Sequence, residues 1–336
     1  MRIDIHVHLA GLGGGASGCF VSDRMRRSVT YHALLANLGL WHMPGERATE
    51  HYANHLRQLL THSHELDFAC VFAMDGVYDA HGGMVRSLSH LYVPNDWVFE
   101  VCRHSHRLLP VISINPERAD ALAELERFGS DAIAIKWLGP LQKFDPTSHR
   151  ARIFYDALKS LELPAIIHSG CEHTFPGMQQ ALGDPALYEG LLQRNVPVIF
   201  SHCGTGSFLH PRHDYSRTFE RLLERYDHVF GDTSAFCSLV RRNQLRRFNT
   251  DRFVSRMFHG SDWPIPSSAM VFLPELGFNR VYQLAKVRHS LDRDVLTKRA
   301  MGVPDAVFEG AWRLLESRVR RYLKRVHPSW TGVEIR

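Results

Sequence analysis

Met1-Arg2-Ile3-Asp4-Ile5-His6-Val7-His8 opens the chain as a short apolar strand with two histidines two residues apart. Side chains alternate across a strand, so His6 and His8 share one face while Ile3, Ile5 and Val7 share the other, apolar one. Two imidazoles aimed at one point are half a metal site. Working outward, three later segments place a ligand-type residue at the end of an apolar run: Ala165-Ile166-Ile167-His168, Val198-Ile199-Phe200-Ser201-His202 and Met257-Phe258-His259-Gly260-Ser261-Asp262. Neutral imidazoles with one carboxylate form a donor set of intermediate softness, which suits a divalent ion, zinc first, with manganese, iron or nickel as alternatives.

Eight short apolar runs can be traced, near 2–8, 67–74, 108–114, 132–138, 164–169, 196–202, 228–233 and 256–261. Each is followed by a stretch long enough for a helix, an alternation that implies a parallel sheet. Eight such units favour a closed (β/α)8 TIM barrel, in which the C-terminal strand ends converge on one rim. His6, His8, His168, His202 and Asp262 would all stand there. Helical spacing of apolar residues over Ala119 to Phe128 and Ile153 to Leu161 supports the connections.

The rhythm breaks between residues 11 and 66, a segment nearly twice what one helix needs, starting with Gly11-Leu12-Gly13-Gly14-Gly15. We expect a lid or small insertion over the site. No GK[ST] follows the glycines, so they read as a turn and not a phosphate cradle. Residues 293–325 read as a C-terminal helical extension, with Leu314, Leu315, Val319, Tyr322 and Leu323 packing against the barrel. With 336 residues, 44% of them hydrophobic, and no low-complexity linker, residues 1–336 are expected to form one domain.

The net charge of +5 is modest for this length and argues little about partners. Arg241-Arg242, Arg246-Arg247 and the arginines of 318–325 read as solvated helix faces, because no aromatic interleaving accompanies them; nucleic acid is not an expected partner. The six cysteines, Cys19, Cys70, Cys102, Cys171, Cys203 and Cys237, lack CxxC spacing and imply a reducing compartment. With no signal-peptide pattern and no long apolar run, the expected location is cytoplasmic, away from membrane. Trp41, Trp97 and Trp330 would suit either a homodimer interface or the core.

Other polar residues at strand ends are weaker candidates. Asp75, Asn115 and Asp232-Thr233-Ser234 fit pocket linings and turn or cap roles equally well. Glu172 and His173 follow the His168 strand and could touch substrate or orient a ligand. Arg212, in the loop after the His202 strand, could meet a substrate carboxylate with two parallel hydrogen bonds.

Five segments together carry a family resemblance: Asp4-Ile5-His6-Val7-His8, Ile135-Lys136-Trp137-Leu138, Leu163-Pro164-Ala165-Ile166-Ile167-His168-Ser169-Gly170, Ser201-His202-Cys203-Gly204 and Gly260-Ser261-Asp262-Trp263-Pro264. Ala311-Trp312-Arg313-Leu314-Leu315 adds a weaker echo. The chain resembles the amidohydrolase superfamily, in the amidohydrolase-related branch that contains aminocarboxymuconate-semialdehyde decarboxylase and resorcylate decarboxylase. The resemblance implies a single ion bound by His6, His8, His168 and Asp262, with His202 beside the reacting water and Asp262 serving it as well. It also implies an alternative, a second ion held by a carboxylated Lys136 with His168 and His202. Otherwise Lys136 would anchor a substrate anion, or simply lead its charge out of the strand. Trp137 stands where related sequences commonly have histidine.

The branch hosts several chemistries, so substrate does not transfer with the resemblance. Hydrolysis of an amide, ester or lactone in a small, carboxylate-bearing substrate is favoured, because it requires only metal, water and a proton acceptor. Non-oxidative decarboxylation of an unsaturated or aromatic acid is the alternative, and a non-catalytic metal-binding module is the third.

Overall fold

The computed structural model describes residues 1–207 and 211–330. Its frame is an eight-stranded parallel sheet built from β1 (Ile3–His8), β3 (Phe68–Phe72), β5 (Leu108–Ile112), β6 (Ala134–Trp137), β7 (Ala165–His168), β8 (Val198–Ser201), β9 (Val229–Asp232) and β10 (Met257–Phe258), paired in that order. These are the eight runs seen in the sequence. β10 is the shortest, since only Met257 and Phe258 pair in register with β9. The extended chain beyond it closes the cylinder onto β1: Ile5 N donates to His259 O at 2.9 Å, Asp262 N to His6 O at 3.0 Å and His8 N to Trp263 O at 2.9 Å. The fold is a (β/α)8 TIM barrel, with its strands buried on both faces as parallel strands covered by helices must be.

The insertion after β1 contains helices Asp23–Arg26, Val29–Asn37 and Gly45–His62. Its two-residue strand β2 (Phe20–Val21) pairs antiparallel with β4 (Leu91–Tyr92), which lies between β3 and β5 in the chain. The insertion is thus tied to the barrel rim. Gly13, Gly14 and Gly15 have φ of 96°, 85° and 66°, a left-handed path that only glycine follows without steric cost. The run is a turn, as its lack of a phosphate-loop lysine suggested.

The C-terminal extension is two helices, Ser290–Ala300 and Asp305–Val326, the second packed on β1 and β10, with Val307, Phe308, Ala311 and Leu315 among its buried residues. Its basic face is not uniformly solvated. Arg318 is buried and its guanidinium donates to the carbonyls of Ala132 (2.9 Å), Leu161 (2.9 Å) and Gly129. Arg241 is buried too, donating to Thr205 Oγ1 (2.8 Å), Cys171 O (2.6 Å) and Thr205 O. Both corrections have one physical cause: backbone carbonyls at loop and helix ends need donors, and a planar guanidinium can satisfy several at once. Among the tryptophans, Trp97 and Trp330 pack on the core while Trp41 is exposed. No described helix is long and apolar enough to cross a membrane.

Candidate metal centre

The site is assembled at the C-terminal rim from strand ends far apart in sequence. Alternation along β1 sets His6 and His8 on one face, against the ring of Phe72 at centroid distances of 4.9 and 5.4 Å. The two Nε2 atoms lie 3.2 Å apart. Asp262 Oδ1 reaches both, at 3.1 Å from His6 Nε2 and 3.2 Å from His8 Nε2. His202 joins from the end of β8, offering a ligand atom that lies, with one each from His6 and Asp262, in a group spanning no more than 4.8 Å. His168, ending β7, stacks edge-on against His202 with ring centroids 5.0 Å apart.

Two of the rings are held by neighbours that fix which nitrogen faces the centre. His6 Nδ1 meets Asp232 Oδ2 at 2.8 Å. His202 Nδ1 lies 2.8 Å from Ser234 Oγ and 3.0 Å from Ser234 O, so Nε2 is on the ring's other side. Asp232 also accepts from the backbone N–H groups of His202 (2.9 Å) and Ser234 (3.0 Å), and from Ser234 Oγ. One carboxylate therefore positions the His6 imidazole directly and the His202 imidazole through Ser234, as carboxylates behind metal-bound histidines do. Sequence reasoning left Asp232 balanced between turn and pocket; its place at the end of β9, opposite a histidine strand, was the available signal.

Local backbone geometry is unusual where the site needs it. His202, Cys203 and Asp262 have φ of 58°, 53° and 67°, a sparsely occupied region for residues with a Cβ, found disproportionately at functional positions. Gly260 supplies the clearance: a Cβ there would come within 2.8 Å of His6 Cβ and 3.2 Å of Ser234 Cβ.

Electrostatics divide the donors. Burial pushes His168 and His202 well below the ordinary imidazole range, aided by Lys136 and Arg241 at His168 and by Arg241 at His202. Burial likewise lowers His8. Burial and Lys136 oppose protonation of His6, but Asp232 and Asp262 outweigh them and raise it. Burial disfavours the charge on Asp262, yet the adjacent histidines hold its carboxyl well below the usual range. Neutral imidazoles at His8, His168 and His202 with an ionised Asp262 are the protonation states a divalent ion requires, while at His6 the ion would take the place of the proton that Asp232 and Asp262 favour. The fit is also seen at His168, whose buried Nε2 has no hydrogen-bond partner among the described residues. An orphaned ring nitrogen beside such a cluster is what a missing ligand bond leaves.

Lys136 points into the barrel and is buried, not led out to solvent. Its Nζ donates to Ser201 Oγ at 2.7 Å and lies 4.8 Å from the Phe72 ring centre. Burial pushes its ammonium down to about 8. Trp137 faces away, donating to Ile114 O at 2.6 Å among Phe144, Phe154 and Tyr155. Glu172 stands near His168, with Oε2 at 3.8 Å from Nδ1. The His173 ring is exposed and bonded to Ser207 Oγ at 3.1 Å. Arg212 is exposed, next to residues 208–210, which lie outside the described residues. Asp75 and Asn115 build rim loops: Asp75 accepts from Tyr78 Oη (2.7 Å) and Asn115 N (2.7 Å), and Asn115 Nδ2 donates to Gly76 O (2.9 Å).

Below the centre lies a buried charged group that the sequence did not suggest. Asp4 accepts from Ser261 N at 2.9 Å and His6 N at 3.1 Å. Lys298 Nζ bridges Asp294 Oδ2 (2.6 Å) and Gly260 O (2.7 Å). Together these bonds hold the segment that carries Asp262 against β1.

A family model described as amidohydrolase matches residues 3–298. No curated protein matches in a sequence search. Among solved structures, a TIM-barrel protein from Bordetella bronchiseptica aligns over 97% of this chain and 99% of its own, with a TM-score of 0.57 and 12% identity. A putative 2-pyrone-4,6-dicarboxylic acid hydrolase from Pseudomonas putida aligns over 94% and 97%, at 0.53 and 16%. The apo form of Metarhizium anisopliae IDCase aligns over 97% of each chain, also at 0.53 and 16%. At these identities the likeness is one of fold.

Proposed function

This chain belongs to the amidohydrolase family, and from that premise we propose that it is a metal-dependent hydrolase of an ester, lactone or amide bond. The observation that carries the proposal is the meeting of His6 Nε2, His8 Nε2 and Asp262 Oδ1 within 3.2 Å, with His202 alongside. His6, His8, His168 and Asp262 would hold one divalent ion, with zinc preferred by the donor set. Bound there, such an ion supplies Lewis acidity and lowers the pKa of water.

The chain's own groups supply the rest. His202, neutral because it is buried and fixed through Nδ1 by Ser234, accepts a proton from the attacking water through Nε2. It returns that proton to the leaving oxygen or nitrogen as the acyl bond breaks. Asp262 accepts a hydrogen bond from the same water and keeps its lone pair directed at the carbonyl. Asp232 keeps His6 and His202 in register with one another.

The test is mass spectrometry of products from zinc-loaded protein incubated with a panel of lactones, esters, amides and aromatic acids. A single product heavier by one water from a lactone, or two fragments whose masses sum to substrate plus one water from an ester or amide, supports hydrolysis. Loss of carbon dioxide from an acid, with no water-added product, would replace it with the decarboxylase alternative.

A further inference from the structure

The insertion roofs a cavity of about 110 Å³ whose floor includes His8 and Asp262. Its walls are Met25, Tyr31, Leu34, Leu35 and Leu38 from the insertion, facing Leu9, Leu138, Phe175 and Ile265 from the rim. Among the described residues that line it, the charged side chains are the carboxylates of Asp262 and Glu172, with neither lysine nor arginine. The nearby cations among the described residues have partners: Lys136 donates to Ser201, Arg241 to Thr205 and Cys171, and the half-buried Arg26 to the carbonyls of Val21 and Leu12 and to Tyr31 Oη. With an ion at the centre offsetting Asp262, a carboxylate placed among the insertion's side chains would still stand beside Glu172 with no lysine or arginine in the lining, a costly arrangement in low dielectric. An apolar group would instead exchange water for aliphatic and aromatic walls. Apolar cavities of about 150 Å³ stay dry and hold a benzene ring, so the present volume suits one alkyl or aryl arm.

We infer that this cavity binds an uncharged alkyl or aryl arm of the substrate, whose scissile carbonyl then lies at His8 and Asp262. The inference deepens the hydrolytic proposal and rests on it for the bond that is cut. It replaces the carboxylate-bearing substrate expected from sequence with an uncharged, amphipathic one, such as an alkyl-substituted lactone or an aryl ester. Continuity with the candidate ligands identifies the occupant: the same cavity is lined by two of them and by the apolar insertion.

The experiment uses zinc-loaded full-length protein and the neutral dye Nile red, displaced by δ-dodecalactone or by 2-pyrone-4,6-dicarboxylate. Leu34 and Leu38 are only partly buried, so Leu34→Asp and Leu38→Asp should fold, as circular dichroism will verify. The expected result is saturable dye binding, at least tenfold weaker in either variant and displaced by the lactone in preference to the dicarboxylate. Across a δ-lactone series, KM should fall about two- to fourfold per added methylene until the cavity is filled. Equal dye binding by wild type and both folded variants, or stronger displacement by the dicarboxylate, would overturn the inference. Lactones that displace dye without being cleaved, with the esters and amides of the panel left intact as well, would sustain the cavity assignment and remove the hydrolytic proposal. Cleavage with no chain-length dependence and no dye competition would do the reverse.

Discussion

Asp232 Oδ2 lies 2.8 Å from His6 Nδ1, joining the end of β9 to the end of β1 across the barrel mouth. The same carboxylate receives the backbone N–H of His202 through its other oxygen. A single buried anion thereby orients the His6 imidazole directly and the His202 imidazole through Ser234, two rings that the chain separates by almost two hundred residues.

Asp232→Asn should consequently lower metal affinity or activity by about 10–100-fold while leaving the fold intact. Metal titration followed by elemental analysis measures the first, and kcat/KM the second. Undiminished affinity and activity would show that His6 is oriented by packing alone.

Asp262→Ala should remove both activity and most of the bound metal, since Asp262 Oδ1 is the carboxylate oxygen shared by His6 and His8. His202→Ala should retain metal but lose about 10²–10⁴-fold in kcat, the usual contribution of a proton-transfer group. Elemental analysis separates the possibilities. If His202→Ala loses one ion of two, and Lys136→Ala does the same, the centre is binuclear and Lys136 is its bridge.

Arg318→Ala should destabilise the protein by about 2–3 kcal/mol in urea denaturation, because it leaves the buried carbonyls of Gly129, Ala132 and Leu161 without their charged donor. Activity at low temperature should be unaffected, as Arg318 contacts none of the rim residues. Little or no change in stability would mean that water replaces the guanidinium.

Lys298→Ala should cost about 3–5 kcal/mol, the usual result of stranding one member of a buried ion pair, here Asp294. The double variant Lys298→Met/Asp294→Leu should recover much of that loss. Because Lys298 also holds Gly260 O, metal affinity should fall in both variants. Stability restored with metal affinity still reduced would separate the two roles of this lysine.

The strands were legible because apolar runs buried on both faces leave little ambiguity: Phe68–Phe72 and Leu108–Ile112 have no polar residue to confuse the pattern. The candidate centre was legible at His6 and His8 for a related reason, since period-two alternation puts them on one face in any strand. Arg241 and Arg318 were misjudged as solvated because local charge runs carry no information about distant carbonyls. Asp232 was undecided because its partner lies far away in sequence, and nothing adjacent reveals a histidine across the barrel.

Sequence alone determined the order of eight strands, the insertion after the first, and the five side chains at their C-terminal ends, because each follows from short-range periodicity. Tertiary structure alone decided which ring nitrogen faces the centre, which cations are already engaged by carbonyls and hydroxyls, and that the insertion lays aliphatic side chains over the rim. Those outcomes depend on contacts between elements brought together only when the barrel closes, and no local pattern encodes the distance between two strands' ends.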